Sequence, residues 1–216
     1  MPSQLTAVND FVVKFANVNG SGSASANSLF AKSILRMGVA VAARNIFPSN
    51  IQGLPTWYEV RVSGEGWLGR RGGVDIMVPM NPQTWDADIA SIEPGGYVLY
   101  DSSKPLPSSK FRDDVTVIGV PFSQLTARAF EDPRQRQLFK NIGYVGALAT
   151  LLEIDFDVLQ QVIREQFPGK ERLIAPNVTA LKLGTPEVST NCVGSTSSVT
   201  GTRAVWPLDC TTTSPV

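Results

Sequence analysis

The chain has 216 residues and no histidine. Without histidine it can form neither a Ser-His-Asp nor a Cys-His nucleophile pair within itself, and no histidine-ligated zinc or iron. Cysteine is almost as scarce. Cys192 and Cys210 both fall in the last 25 residues, outside every segment that reads as core. Two thiols cannot hold an iron–sulfur cluster, which takes about four, and no disulfide framework is expected. Neither sign of charge is in excess, with 19 basic and 19 acidic residues, so no whole-chain field draws in nucleic acid or an anionic membrane. No apolar run nears the roughly 20 residues of a membrane span. The start, MPSQLTAVND, lacks the basic-then-apolar order of a signal peptide. Nucleic acid and membrane are therefore not expected partners, and the cytoplasm is the expected compartment.

What is present centres on Phe11–Gly38. Phe11, Val12, Val13 and Phe15 form a short apolar run that leads into Asn19-Gly20-Ser21-Gly22-Ser23-Ala24-Ser25, a strand followed by a tight turn. Leu29, Phe30, Ile34 and Met37 then recur at helical spacing up to Gly38. A helix leaving such a loop presents unpaired N–H groups and the positive end of its dipole, and small side chains let a phosphate or carboxylate approach. The same residues also suit an empty β–α turn. A dinucleotide site would add an Asp or Glu about 20 residues after the glycines, and the second strand, Val39–Ala43, ends instead at Arg44-Asn45. Dinucleotide binding is thereby demoted.

Thr56–Val62 reads as a half-exposed strand. Ser63–Gly73 is a glycine-rich connection carrying Trp67, Arg70 and Arg71; it fits an anionic ligand or a partner surface, and equally a hairpin loop with solvated arginines. Val74–Val78 resumes as a strand, and Asn81-Pro82 caps a helix whose apolar side is Trp85, Ile89 and Ile92, ended by Pro94-Gly95-Gly96. Tyr97–Tyr100 and Val115–Val120 are further strands. Asp132-Pro133 opens a long helix with one apolar stripe of Leu138, Ile142, Val145, Ala149 and Leu152. Asp155 opens the next, and a last amphipathic segment ends at Leu183-Gly184. Strands alternating with helices over residues 10–120 predict an α/β fold: a mainly parallel, Rossmann-like sheet with helices on both faces and a helical C-terminal portion. Ligands of such sheets sit beyond the carboxyl ends of the strands, where Asn17–Ser25 belongs.

In this order, the stretches VNDFVVKFANVNGSGSASANSLFAKSILRMG, RNIFPSNIQGLPTWYEVRVSGEGWLGRRGGVDIMVPMNPQTWD, IEPGGYVLYDSSKPLP and DPRQRQLFKNIGYVGAL resemble the gamma domain of the 2-oxoacid:ferredoxin oxidoreductases. The arrangement is the one in which that domain opens the alpha subunit of the 2-oxoglutarate-type enzyme. The resemblance covers roughly residues 8–184. Many members carry a Gly-x-Gly-Gly-x-Gly run, whereas Ser23, Ala24 and Ser25 stand here in place of later glycines.

The resemblance implies a component of an enzyme that oxidatively decarboxylates a 2-oxoacid with coenzyme A, giving acyl-CoA, carbon dioxide and reduced ferredoxin. It implies thiamine diphosphate, Mg and an iron–sulfur cluster in partner domains, with coenzyme A as co-substrate and no cofactor bound by this chain alone. The implied partners are the thiamine-binding alpha and beta portions, and ferredoxin through the complex. Two elements are the candidates for ligand or domain contact: Asn19, Gly20, Ser21, Gly22 and Ser23, and the Arg70-Arg71 loop. A nucleotide-binding module is the alternative. A further one is a non-catalytic interaction domain using Trp57, Tyr58 and Trp67 as exposed aromatics.

Residues 1–184 are thus expected to form the domain and 185–216 a disordered tail. Ser189–Val216 holds twelve Ser or Thr among 28 residues and one acid, too little apolar surface to order itself. A truncated or frame-shifted reading frame is one expected origin of such a tail, and a natural flexible C-terminus on a stand-alone subunit is the other.

Overall fold

The computed structural model describes residues 9–48 and 51–185. The expectations for the tail and for both cysteines lie outside the described residues. One six-stranded sheet organises the rest: β1 (Asp10–Val18), β2 (Ala40–Ile46), β3 (Pro55–Ser63), β4 (Val74–Pro79), β5 (Ile92–Asp101) and β6 (Thr116–Val120). Its order is β2-β3-β1-β4-β5-β6. β1, β4, β5 and β6 pair in parallel, and β3 runs antiparallel to both β1 and β2. β3 is therefore the one reversed strand, and the sheet is mainly parallel.

Strand alternation divides the sheet's faces between two cores. Val13 and Phe15 of β1, Val60 and Val62 of β3, and Ile76 and Val78 of β4 point into the larger one. That core is closed by α1 (Ser23–Arg36), α3 (Phe122–Ala129), α4 (Pro133–Leu151), α5 (Phe156–Gln166) and α6 (Glu171–Leu183). The opposite face is covered more thinly, by α2 (Trp85–Ala90) and the segment around Leu106 and Phe111. Trp85 holds this smaller core together, with edge-on contacts to Tyr100 and Phe111 at 5.8 and 5.7 Å and an indole N–H that donates to the Lys110 carbonyl at 2.9 Å.

Several boundaries differ from the sequence reading. The helix after Asn81-Pro82 stops at Ala90, and Ile92, Pro94, Gly95 and Gly96 lie inside β5. The pairing of β4 with β5 shifts register between Val74 and Ile76, so the Pro-Gly-Gly run marks a strand irregularity and not a helix stop. A Cβ at Gly96 would sit 2.8 Å from the Asp75 carbonyl oxygen. Helix α3 is an element that the sequence pattern did not reveal. The apolar stripe expected on α4 also fails at Leu138, which is 49% exposed. Further along, every residue from Asn141 to Ala149 is buried, because α6 and α3 cover the outer side of the helix.

Candidate functional site

The carboxyl end of β1 carries the turn that the sequence singled out. Gly20 and Gly22 both have positive φ, 85° and 78°, a backbone that residues with a Cβ rarely adopt. The turn is anchored on two sides. Asn19 donates its N–H to the Leu54 carbonyl at 2.8 Å and accepts from the Gly53 N–H at 3.0 Å. The Asn141 side chain reaches from α4 to donate to the Ser21 carbonyl at 2.9 Å.

Gly22 is the N-cap of α1, so no side chain caps that helix, and its first turn holds no acidic residue. Its leading N–H groups and positive dipole end are left facing outward. They face a cleft of about 400 Å³, within the roughly 300–1,000 Å³ of ordinary ligand pockets. Gly20, Gly22, Ser23 and Ala24 form one wall. Asn17, Asn27 and Thr56 also line the cleft, and Asn45, Phe47 and Tyr58 close its far side.

Asn17 gives the cleft its polarity. It is 3% exposed, and its amide nitrogen has no hydrogen-bond partner. A buried donor left unpaired costs on the order of 1–3 kcal/mol, and here it lies beneath an open helix N-terminus. Beside it, the Tyr144 hydroxyl donates to Asn27 Oδ1 at 2.7 Å. Complete burial drives the Tyr144 pKa well above the ordinary phenol value, an effect that nearby Asn17 partly offsets. Tyr144 therefore stays a neutral strut. The Tyr58 hydroxyl is raised too, by desolvation, against a hydrogen bond with Ser28 of α1.

The second helix start at this edge is already filled. Asp101, the last residue of β5, accepts from the Ser123 N–H at 3.2 Å and from the Ser123 hydroxyl, and Ser103 Oγ accepts from the Gln124 N–H at 3.1 Å. The protein's own carboxylate thus occupies the anion position of α3.

The structure brings Asn19, Gly20, Gly22 and Ser23 together at this cleft, leaves Ser21 in the same turn but off its lining, and places Arg70 and Arg71 elsewhere. Arg71 donates to the carbonyl of Asp10, the first residue of β1, at 3.0 Å, and pairs with Asp75 at 2.7 Å. The nine residues of β1 separate the two loops by ~30 Å. Arg70 is exposed on the same far loop. Of the three aromatics expected at the surface, Trp67 is 73% exposed. Trp57 is half-buried with its indole donating to Asp88 at 2.8 Å, and Tyr58 packs edge-on against Phe15 at 6.5 Å. Sequence reasoning did not assign roles to Asn17, Asn27, Asn45 and Phe47. Asn17 carried a readable signal, since it shares the inward face of β1 with Val13 and Phe15, where a polar residue is out of place.

Comparison with known proteins settles the family. The profile for pyruvate ferredoxin/flavodoxin oxidoreductase matches residues 12–187. The chain belongs to that family. Within it, the chain is 25% identical over 201 residues to the 2-oxoglutarate oxidoreductase subunit KorA of Mycobacterium tuberculosis, covering 82% of this chain and 31% of the relative. It is 21% identical to the alpha subunit of 2-oxoacid:ferredoxin oxidoreductase 2 of Aeropyrum pernix, again over 31% of that protein. The chain thus spans about a third of the length of these curated relatives.

A solved oxidoreductase of the family, the 2-oxoglutarate:ferredoxin oxidoreductase of Magnetococcus marinus with 2-oxoglutarate, coenzyme A and succinyl-CoA bound, superposes with a TM-score of 0.75 at 26% identity, over 84% of this chain and 31% of that one. The pyruvate oxidoreductase subunit PORC of Thermotoga maritima shares the fold, with a TM-score of 0.66 at 18% identity, and is covered over 96% of its length. No helix among the described residues is long and apolar enough to cross a membrane.

Proposed function

We propose that this chain supplies the gamma-type domain of a 2-oxoglutarate:ferredoxin oxidoreductase and that the cleft at the start of α1 meets the phosphates of coenzyme A. The enzyme's reaction takes 2-oxoglutarate and coenzyme A to succinyl-CoA and carbon dioxide, with two electrons passing to ferredoxin. The 2-oxoglutarate assignment is supported by the named activities of the Mycobacterium and Magnetococcus relatives. The observation that carries the coenzyme A assignment is the uncapped N-terminus of α1, which opens on a cleft above the buried Asn17 amide, a donor whose nitrogen makes no hydrogen bond of good geometry.

The described residues do not fit a resident metal or cluster, since no three His, Cys, Asp or Glu side chains among them are grouped to hold one. In this reading thiamine diphosphate, Mg and the iron–sulfur cluster belong to the thiamine-binding alpha and beta portions, and the present chain performs no bond-breaking step. Its part is to close the coenzyme A site and to pack on those portions. The Arg70-Arg71 loop, with Arg71 committed to Asp10 and Asp75, serves the packing and not the ligand.

Ala24→Asp tests the assignment. Ala24 is exposed at the first turn of α1, so a carboxylate there suits the helix dipole and spares the fold, yet places negative charge in the anion position. In an enzyme reconstituted with its thiamine-binding partners, the KM for coenzyme A should rise at least tenfold. Arg70→Ala should leave it unchanged. An Ala24→Asp enzyme with unaltered KM removes coenzyme A from this cleft.

A further inference from the structure

We infer that β2 is a docking edge for a second copy of this chain, the two β2 strands pairing antiparallel about a twofold axis at Ala43 and joining two sheets into one. The inference does not depend on the coenzyme A reading. β2 ends the sheet, and among the described residues its outer edge is unpaired. Natural sheets blunt such an edge with a very short strand, a proline, a lysine or a bulge. β2 has none of these. It runs for seven residues, AVAARNI, in unbroken register with β3. The opposite edge strand, β6, is shorter at five residues and follows Asp113 and Asp114.

What fits this edge is the same strand from another copy. With Ala43 opposite Ala43, every residue of β2 finds a partner: Ala42 opposes Arg44, Val41 opposes Asn45 and Ala40 opposes Ile46. Arg44, the one charged residue of the strand, then meets alanine and not a second arginine, and its charge is already held by Glu59 of its own copy. Alternation sends Val39, Val41, Ala43, Asn45 and Phe47 to the face on which α1 packs. Ala43 and Asn45 are exposed there, so α1 leaves this strip uncovered and the axis falls on a small side chain. The two ends of the strand are apolar. Phe47 is 52% exposed just past the carboxyl end, and Leu35 is 56% exposed at the amino end, where its carbonyl accepts from the Gly38 N–H at 3.0 Å to close the turn before β2. Antiparallel pairing carries Phe47 of each copy to Val39 of the other, at the turn that Leu35 closes. Ladder pairing alone falls short of the roughly 1,200 Å² of a stable interface, and these two apolar ends extend it. A twofold supplies both matches at once, because the same patch serves each side.

The test is sedimentation velocity on the full chain from about 1 to about 500 µM, where a reversible dimer is expected. Ala43→Lys sets two ammonium groups directly opposite each other and should weaken the dimer about tenfold or more. Its far-ultraviolet dichroism should not change, because the side chain is exposed. In a Cys192→Ser, Cys210→Ser background, Ala43→Cys should give a disulfide-linked dimer under mild oxidation. Asn45→Cys, also exposed on that face, should not, since its two copies lie ~13 Å apart along the paired strands, beyond the ~7 Å Cα reach of a disulfide. A chain that stays monomeric at the highest concentration overturns the inference. So does a dimer indifferent to Ala43→Lys, or one linked through Asn45→Cys in preference to Ala43→Cys. If the parent is monomeric and Ala43→Lys instead blocks assembly with the thiamine-binding partners, the edge takes a strand of another chain and the second copy is ruled out.

Discussion

Asp88 is 3% exposed on α2, its Oδ1 accepting from the Trp57 indole at 2.8 Å and its Oδ2 from the Thr84 hydroxyl at 2.6 Å. Desolvation lifts its pKa above the ordinary carboxylate value, and the two hydrogen bonds and Lys14 offset part of the rise. A carboxyl whose pKa is raised on folding favours the native state below the unfolded-state pKa and loses that contribution as pH climbs through the folded value. Asp88→Asn keeps an acceptor for the indole and cannot ionise. The stability of the parent relative to this variant should therefore fall as pH rises from about 4 toward 7, as measured by urea unfolding at each pH; a difference constant with pH would show that Asp88 ionises without penalty. At this scale the sequence was legible where a residue's role is local. Asn81 and Asp132 were readable as caps, and each accepts the expected backbone N–H. The indole that Asp88 accepts from lies on β3, and linear order carries no information about it.

Helices α4 and α6 meet at backbone distance. A Cβ placed on Gly146 would lie 1.8 Å from the Leu181 carbonyl oxygen, so the pair fits only because that position has no side chain. Gly146→Ala has no flexible atom to displace, and the helices must separate. The expected loss is about 3 kcal/mol or more, read from chemical denaturation, with most of the effect on the stability of α6. A loss below about 1 kcal/mol would mean that α6 moves freely over α4. The stripe of α4 was read as one-sided because its inward residues obey helical spacing. Its outer face is built from Gly143, Gly146 and Ala147, small residues whose value as a contact surface appears only when α6 is laid on it. Ile92 was assigned to the helix before it for a related reason. Its spacing from Trp85 and Ile89 fits a helix, and all three do enter the same core, but Ile92 reaches it from a strand.

The whole molecule is one sheet with unequal coverings, and both cores hang on the same strands. Phe15 and Ala16 are neighbours in β1 and point into different cores. Loosening either core therefore strains the same hydrogen-bond ladder, and the described residues should unfold as one unit. Leu148→Ala in the larger core and Trp85→Ala in the smaller should each lower a single transition by about 2–5 kcal/mol, with far- and near-ultraviolet dichroism coincident. Two separated transitions in either variant would show that the cores are independent. The α/β class and the carboxyl-edge position of the glycine turn were legible from alternation alone. The reversal of β3 was not, because strand direction depends on pairing, and the pairs of β1 lie far away in sequence.

That last fact bears on how the protein is made. β1 leaves the ribosome ahead of its two neighbours, β3 and β4, which end at Ser63 and Pro79. At synthesis rates of roughly 5–20 residues per second, the nascent Phe11–Val18 segment travels for several seconds with both edges unpaired. For that interval its safety rests on the interruptions that Lys14 and Asn17 make in an otherwise apolar run.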